Sequence, residues 1–182
     1  DETVGRYERM LAERTFPGRP LIALAPGSIW FTKRWPAEYY AQLARLLTAG
    51  KFNLVFVGAP DERELCNEII SASGAEAPNL AGSTGILESA AAISQCDMLV
   101  CNDSGAMHIA NAMQTDVVAF FGPTVRSIGY FPYREKDKVF ETDLECRPCG
   151  KHGDPACPLG HHNCMRDIPP TVVFEYIRKR FL

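Results

Sequence analysis

Residues 26–36 combine a glycine, a hydroxyl group and two basic side chains, a composition typical of a phosphate-binding loop. Gly27 allows the backbone to approach a ligand closely, and Ser28 offers a hydroxyl group. Lys33 and Arg34 bring positive charge to the start of an expected helix, where free backbone amides already favour anions. The segment has neither the Gly-Lys-Ser/Thr order of a Walker loop nor the glycine spacing of a dinucleotide-binding turn. The alternative interpretation is a solvated basic loop whose tryptophans pack inward.

Residues 102–108 predict a second group of contacts to the same kind of anion. Asp103 or Ser104 can cap the helix that follows, and Gly105 lets the first amides of this helix face a ligand. His108 comes three residues after Gly105, so we expect it on the same helical face. Because two anions repel, Asp103 is expected to bind a sugar hydroxyl or to cap the helix, and not to touch phosphate. The alternative is an ordinary capped helix with a buried histidine.

Two further loops carry candidate ligand groups. Glu62 can hold ribose hydroxyls, although carboxylates at the start of a helix commonly serve the helix dipole. Gly122 and Thr124 again place a glycine and a hydroxyl group directly after an apolar run. All four loops follow apolar runs, and ligands of open α/β sheets bind beyond the carboxyl ends of the strands. The sequence therefore predicts one site along one edge of a sheet.

The apolar runs alternate with helical patterns, which predicts a parallel sheet with helices on both faces. The expected strands are residues 21–25, 53–57, 98–101 and 117–121. The expected helices run from Pro36 to Gly50, from about Asp61, around residues 90–93, over residues 105–113, and from Pro169 to the C-terminus. Past Thr124 the strand pattern weakens, and we expect loops up to the last helix. The fold class is therefore α/β, with a Rossmann-like layered arrangement.

The composition indicates one globular domain. The chain has 182 residues, of which 46% are hydrophobic and 23% are charged, which suffices for a buried core. We expect residues 21–182 to form this domain and residues 1–20 to be an interdomain linker with the remnant of a helix. Because the chain opens on Asp1 without an initiator Met, we expect it to be a piece of a longer protein.

Charge and hydropathy argue against two classes of partner. A formal net charge of −3 does not supply the clustered basic residues with which proteins hold nucleic acids. No apolar run approaches the roughly 20 residues that span a membrane as a helix, and no charged-then-apolar leader opens the chain. We therefore expect a cytoplasmic protein that binds no nucleic acid.

The seven cysteines fall into two groups. An odd number in a chain of this size argues against a disulfide framework and for a reducing compartment. Three lie in apolar segments, where we expect buried core residues: Cys66, Cys96 and Cys101. The other four can hold a structural zinc ion, with three histidines between them: Cys146, Cys149, Cys157 and Cys164, with His152, His161 and His162. Because their spacing is irregular, reduced thiols or a disulfide formed on isolation are the alternatives.

Taken in order, these motifs resemble those of family 9 glycosyltransferases. The resemblance is carried by the order and spacing of residues 26–36, 57–60, 102–108 and 121–124. Residues 146–165, with their four cysteines, further resemble the heptosyltransferase II branch. The resemblance implies the GT-B architecture, in which two Rossmann-like domains face a cleft. The chain resembles only the C-terminal domain, which in this family binds ADP-L-glycero-D-manno-heptose, the donor for the lipopolysaccharide inner core.

The resemblance also implies roles for individual residues in binding the donor. Ser28 and Lys33 are expected to contact the diphosphate, and Glu62 the ribose. Thr84 is expected near the nucleoside, and Asp103 near the heptose. The phosphates are further expected to contact Ser104, Gly105 and His108, and the donor site to include Gly122 and Thr124.

In this family the catalytic carboxylate lies in the N-terminal domain, so the resemblance implies no catalytic residue in this chain and no activity of the chain alone. Lys33, His108 and helix amides take the place of a metal ion, so no cofactor is required. The full-length protein is expected to hold a lipid A-core acceptor in its other domain, as a peripheral protein at the inner face of the inner membrane. The alternatives are another GT-B nucleotide-sugar enzyme, such as a UDP-sugar transferase or an epimerase, or a nucleotide-binding module without activity.

Overall fold

A computed structural model describes residues 2–181 of the chain and contains one five-stranded parallel sheet. Its strands are β1 (Leu21–Ala25), β2 (Asn53–Phe56), β3 (Met98–Asn102), β4 (Asp116–Phe120) and β5 (Lys138–Phe140). Its helices are α1 (Glu2–Ala12), α2 (Ala37–Ala49), α3 (Arg63–Ser73), α4 (Ile86–Ile93), α5 (Gly105–Ala112), α6 (Asn163–Arg166) and α7 (Pro170–Phe181). The strand order is β2-β1-β3-β4-β5, so the predicted α/β class and its four strands are confirmed.

The central strands form where predicted because each is covered on both faces. Ile22 and Leu24 of β1 belong to one hydrophobic cluster with residues of α2, α3 and α7. Ala23 and Ala25 point the other way, into a second cluster with α1, α4 and α5. A strand covered on both faces is read in the sequence as an uninterrupted apolar run. The prediction of helices on both faces of the sheet is thus confirmed.

The segment before β1 is part of this packing. Tyr7 and Leu11 of α1 are 7% and 2% exposed and lie in the second cluster. After α1, the backbone amide of Phe16 donates to the side chain of Asn53, at the start of β2. Part of the segment predicted as a linker therefore contributes to the core of the sheet.

The fifth strand and the short helix α6 depart from the prediction of loops after Thr124. β5 has only three residues, each partly exposed, and pairs with β4 at the edge of the sheet. Three residues that include Lys138 show neither an apolar run nor an alternation. The four residues of α6 are likewise too few to show a helical period.

The strand order places a cleft between β1 and β3. These two strands are neighbours, but the helix after β1 packs on one face of the sheet and the helix after β3 on the other. The loops that follow the two strands therefore diverge, and open α/β sheets bind ligands at such a point.

The helices themselves follow ordinary end signals. Pro36 is the N-cap of α2, and Gly74, with a φ of 68°, ends α3. Within residues 2–181, none of the helices has the length and apolar character that crossing a bilayer requires.

Candidate functional site

A cavity of about 620 Å³ lies at the carboxyl edge of the sheet, where the loops after β1, β2 and β3 meet. Its volume is within the range of small-molecule sites, roughly 300–1,000 Å³. Seven of the sequence-predicted residues line it: Ser28, Lys33, Glu62, Thr84, Asp103, Ser104 and Gly105. Further lining residues were not assigned to the site from the sequence, among them Trp30, Ile86, Ile93, Ile109 and His152. The structure therefore brings most of the predicted site residues together.

The side chain of Asn102, at the end of β3, fixes the loop after β1. Its amide nitrogen donates to the carbonyl oxygens of Pro26 and Gly27, at 2.8 and 3.1 Å. Its oxygen accepts from the backbone amide of Trp35 at 2.9 Å and from the hydroxyl of Tyr40 at 3.3 Å. Asn102 is fully buried, so these bonds replace water entirely. It is a site-building residue that the sequence analysis missed.

Asp103 forms a buried ion pair inside the cavity wall. The Nζ atom of Lys33 lies 2.6 Å from Oδ2 of Asp103, and the two side chains are 10% and 5% exposed. Thr124 donates from its hydroxyl to the same oxygen at 2.8 Å. Asp103 is thus held by Lys33 and Thr124. Of its two expected roles, the helix cap is wrong, and contact with a sugar hydroxyl stays a prediction. The ammonium group of Lys33 is in turn fixed at the cavity.

The first turn of α5 presents backbone amides to the cavity. Ser104 is the N-cap residue, but its side chain makes no capping hydrogen bond, which corrects the expectation that it caps α5. The first amides of a helix have no partner within the helix, and Gly105 and Ala106 line the cavity. These N–H groups and the positive end of the helix dipole favour an anion at this place.

Three predicted site residues do not line the cavity. His108 is exposed. The side of α5 that faces the cavity carries Gly105, Ala106 and Ile109. At 3.6 residues per turn, His108 lies roughly 110° around the helix from the middle of that side. Gly122 and Thr124 are buried behind the wall. Thr124 therefore acts on the cavity through its bond to Asp103.

Glu62 reaches the cavity across two glycines. Its Oε2 atom accepts from the backbone amide of Ala59 at 2.8 Å. A Cβ atom at Gly27 would lie 1.9 Å from the carboxyl carbon of Glu62, and one at Gly58 would lie 2.8 Å from its Oε2. Both positions must lack a side chain for Glu62 to lie where it does. Thr84 also lines the cavity, and its hydroxyl is 2.8 Å from that of Ser89.

The cysteine-rich segment packs against the loop after β1. Thr32 accepts from the backbone amide of Asp154 at 2.8 Å and donates from its amide and hydroxyl to the Asp154 carbonyl, at 3.2 and 3.1 Å. Nε2 of buried His162 donates to the carbonyl of Thr32 at 3.0 Å. Burial lowers the pKa of His162, which favours its neutral form. These contacts join residues that are far apart in the sequence, so no local sequence pattern predicts them.

Cys66, Cys96 and Cys101 are buried, as predicted. Burial raises the pKa of the Cys66 and Cys96 thiols to about 12, so both stay protonated at neutral pH. These cysteines are packing residues.

Of the other four cysteines, Cys149 and Cys164 contact the loop after β4, and burial raises the pKa of Cys164 to about 11. Burial opposes ionisation of Cys157, but backbone amides of residues 159–162 bond to its sulfur and bring its pKa below the usual value. Among residues 2–181, no three His, Cys, Asp or Glu side chains are grouped so that they could hold a metal ion. Zinc binding by Cys146, Cys149, Cys157 and Cys164 stays a prediction, which zinc analysis of protein purified without a histidine tag tests.

The loop after β4 is clamped by Arg147, which lies between the first two of these cysteines. Its guanidinium group donates to the carbonyl oxygens of Phe121, Gly122 and Thr124. It also forms an ion pair with Glu141. Arg147 thereby holds the backbone that carries Thr124, the residue bonded to Asp103.

The chain has curated relatives among heptosyltransferases. The chain is 36% identical over 167 residues to lipooligosaccharide heptosyltransferase 2 of Campylobacter jejuni subsp. jejuni serotype O:6, covering 89% of this chain and 52% of that protein. It is 34% identical over 169 residues to lipopolysaccharide heptosyltransferase 2 of Escherichia coli K12, covering 90% of this chain and 47% of that protein. The chain thus spans about half the length of the curated relatives it matches.

A solved structure and a family profile extend the comparison. The structure of E. coli ADP-heptose LPS heptosyltransferase II aligns with a TM-score of 0.80 and 27% identity, over 100% of this chain and 51% of that one. The profile of glycosyltransferase family 9 (heptosyltransferase) matches residues 4–159, which is most of the sequence. The chain therefore belongs to glycosyltransferase family 9.

Proposed function

We propose that this chain binds ADP-L-glycero-D-manno-heptose and that the full-length protein transfers the heptose to the lipopolysaccharide inner core. The observation that carries the proposal is that one cavity is lined both by buried Lys33 and by the free backbone amides at the start of α5. Both groups favour an anion such as a diphosphate. The relatives above, named as heptosyltransferases 2, support the choice of sugar, and they lend no support to an epimerase or a UDP-sugar transferase.

The geometry supports an orientation of the donor along the cavity. Lys33, Ser28 and the amides of Gly105 and Ala106 bind the diphosphate. Glu62 and Thr84 lie in the wall formed by the loop after β2 and the start of α4, where they bind the ribose and the nucleoside. Since Lys33 and Thr124 both use Oδ2 of Asp103, we expect Oδ1 to accept from a heptose hydroxyl.

The chemistry follows from charge. As the bond between heptose and ADP breaks, negative charge builds on the leaving diphosphate, and donors already aimed at it stabilise the transition state. In this proposal Lys33 and the α5 amides supply that stabilisation without a metal cofactor. We assign no residue of this chain as the base that deprotonates the acceptor hydroxyl, and expect that base in the remaining half. The chain alone is then a donor-binding module without activity.

His108, Gly122 and Thr124 keep different places in the proposal. Thr124 positions Asp103, and Gly122 belongs to the loop that carries Thr124. Because His108 is exposed, we expect it to contact the diphosphate only if its side chain changes orientation or if the remaining half of the full-length protein is present. We further propose that the full-length protein works in the cytoplasm, at the inner face of the inner membrane, by peripheral association with its lipid-linked acceptor.

The test is calorimetric titration of the chain with ADP, UDP and GDP at one fixed salt concentration. We expect saturable binding of ADP and much weaker binding of UDP and GDP. A preference for UDP would overturn the heptose assignment and favour another GT-B enzyme. Absence of binding to all three nucleotides would overturn the assignment of this cavity as a donor site that is complete in this chain.

Gly27→Ala is expected to weaken ADP binding about ten-fold while changing the free energy of unfolding little. The new methyl group displaces the carboxyl end of Glu62, so a charge-assisted bond to the ribose, worth about 1.5–3 kcal/mol, is lost. The displaced group is the end of a flexible side chain, so the fold adapts. Calorimetry and denaturant unfolding measure the two effects. Gly150→Ala is the control, because a Cβ there meets no atom within 4 Å; equal ADP affinities of the two variants would contradict the prediction.

A further inference from the structure

A second basic side chain lines the cavity from a segment that is far away in the sequence. Among the described residues that line the cavity, only Lys33 and His152 are basic, whereas Glu62 and Asp103 are acidic. Lys33 is already paired with Asp103. The formal charges of Lys33, Glu62 and Asp103 therefore sum to a negative value around a ligand that is itself an anion. A further hydrogen-bond donor at the diphosphate would bind the anion without adding negative charge.

Tyr130 contacts both His152 and Lys33. The hydroxyl oxygen of Tyr130 is 3.1 Å from Nδ1 of His152, and Nζ of Lys33 is 5.0 Å from the centroid of the Tyr130 ring. We assign the phenol as the donor to Nδ1, which places the imidazole proton on Nε2. His152 then offers Nε2–H to a ligand at the end of the cavity that holds the ammonium group.

The backbone around His152 is fixed against the loop after β1. Asp154, two residues on, exchanges hydrogen bonds with Thr32, the neighbour of Lys33. Gly153, with a φ of 125°, lies so close to Trp30 that a Cβ atom there would be 2.9 Å from the Cβ of Trp30. The cysteine-rich loop is therefore held where His152 reaches the cavity.

We propose that His152 binds the β-phosphate of the donor by donating from Nε2, so that the cysteine-rich loop supplies part of the donor site. The inference rests on the proposed function, since it takes the ligand to be a nucleoside diphosphate. The β-phosphate is chosen because Tyr130 contacts both His152 and Lys33, and Lys33 is a proposed diphosphate ligand. Of the two phosphates, the β-phosphate is the farther from the nucleoside. Of the histidines His152 and His108, His152 lines the cavity and His108 does not.

The test compares ADP with AMP in calorimetric titrations of the 182-residue chain. His152→Phe keeps a flat ring and removes the donor, so we expect about ten-fold weaker binding of ADP and unchanged binding of AMP. His152→Gln places an amide nitrogen near the position of Nε2, and we expect it to restore most of the ADP affinity. Lys151→Ala, which removes an exposed neighbouring charge, is expected to bind ADP as the wild type does.

Each outcome decides the inference. If the wild type binds ADP and His152→Phe binds it equally well, His152 is not a ligand residue, and the proposed function stands without it. An equal loss for ADP and AMP would overturn the assignment to the β-phosphate. If the wild type binds no ADP, both the inference and the proposed donor site are overturned. If His152→Phe has the same thermal unfolding midpoint as the wild type, its loss of affinity is not a folding defect.

Discussion

Lys33→Met is expected to weaken ADP binding by about 100-fold. The substitution removes a charge-assisted contact to the diphosphate, worth about 1.5–3 kcal/mol. It also leaves the carboxylate of Asp103, which is 5% exposed, without its counter-charge and facing the incoming anion. Both effects act in the same direction, and each factor of ten corresponds to about 1.4 kcal/mol. Calorimetric titration with ADP measures the loss.

A double variant separates the effect of the unpaired Asp103 carboxylate from the loss of the Lys33 contact. Replacing Asp103 with Asn in the Lys33→Met background removes the unpaired charge, so we expect affinity to recover to about ten-fold below the wild type. Lys136→Met is the control. It also breaks an ion pair, between Lys136 and Asp116, but at the amino end of β4, away from the cavity. Unchanged ADP affinity in Lys33→Met would remove Lys33 from the donor site.

Asn102→Ala is expected to lower the free energy of unfolding by about 4 kcal/mol. Four hydrogen bonds of a fully buried side chain are lost, and each contributes about 1 kcal/mol, more where a buried partner is left unpaired. The loop after β1 is also released from the end of β3, so Gly27 and Ser28 no longer hold their positions and ADP affinity falls. Denaturant unfolding measures the change in the free energy of unfolding, and calorimetric titration measures the change in ADP affinity.

Asn67→Ala is the matched control for this effect. Asn67 lies on the exposed side of α3, where its side chain bonds to Glu64 and Asn79. Exposed substitutions of this kind change stability by about 0.5 kcal/mol or less. A denaturation midpoint of Asn102→Ala equal to that of Asn67→Ala would show that the polar clamp does not stabilise the fold.

The sequence predicts those parts of the fold and site that depend on neighbouring residues along the chain. β1 and β3 can be predicted from the sequence because both of their faces are buried, and burial of both faces requires an unbroken apolar run. Parallel strands end at one edge of the sheet, so residues directly after them, such as Ser28 and Asp103, are predicted to converge. The cavity shows that they do.

Contacts between distant segments are not predictable in this way. The Lys33–Asp103 pair joins two predicted site residues, yet its existence depends on how two loops are placed. From the sequence, Asp103 was expected to bind a sugar hydroxyl or to cap a helix. The sequence predicts His152 only as one of the histidines between the cysteines, because its approach to the cavity depends on bonds between Asp154 and Thr32. His108 shows the limit of helical spacing, which gives a face but not the direction of the ligand.

The two tryptophans of the chain lie in contrasting surroundings. Trp30 lines the cavity and is 38% exposed, whereas Trp35 is 1% exposed and stacks on Phe120 with ring centroids 4.2 Å apart. The emission of an indole depends on its contact with water, so a ligand in the cavity alters the fluorescence of Trp30 and leaves Trp35 shielded. Trp35 becomes hydrated only when the core opens. The chain thus carries separate optical reporters of ligand occupancy and of folding.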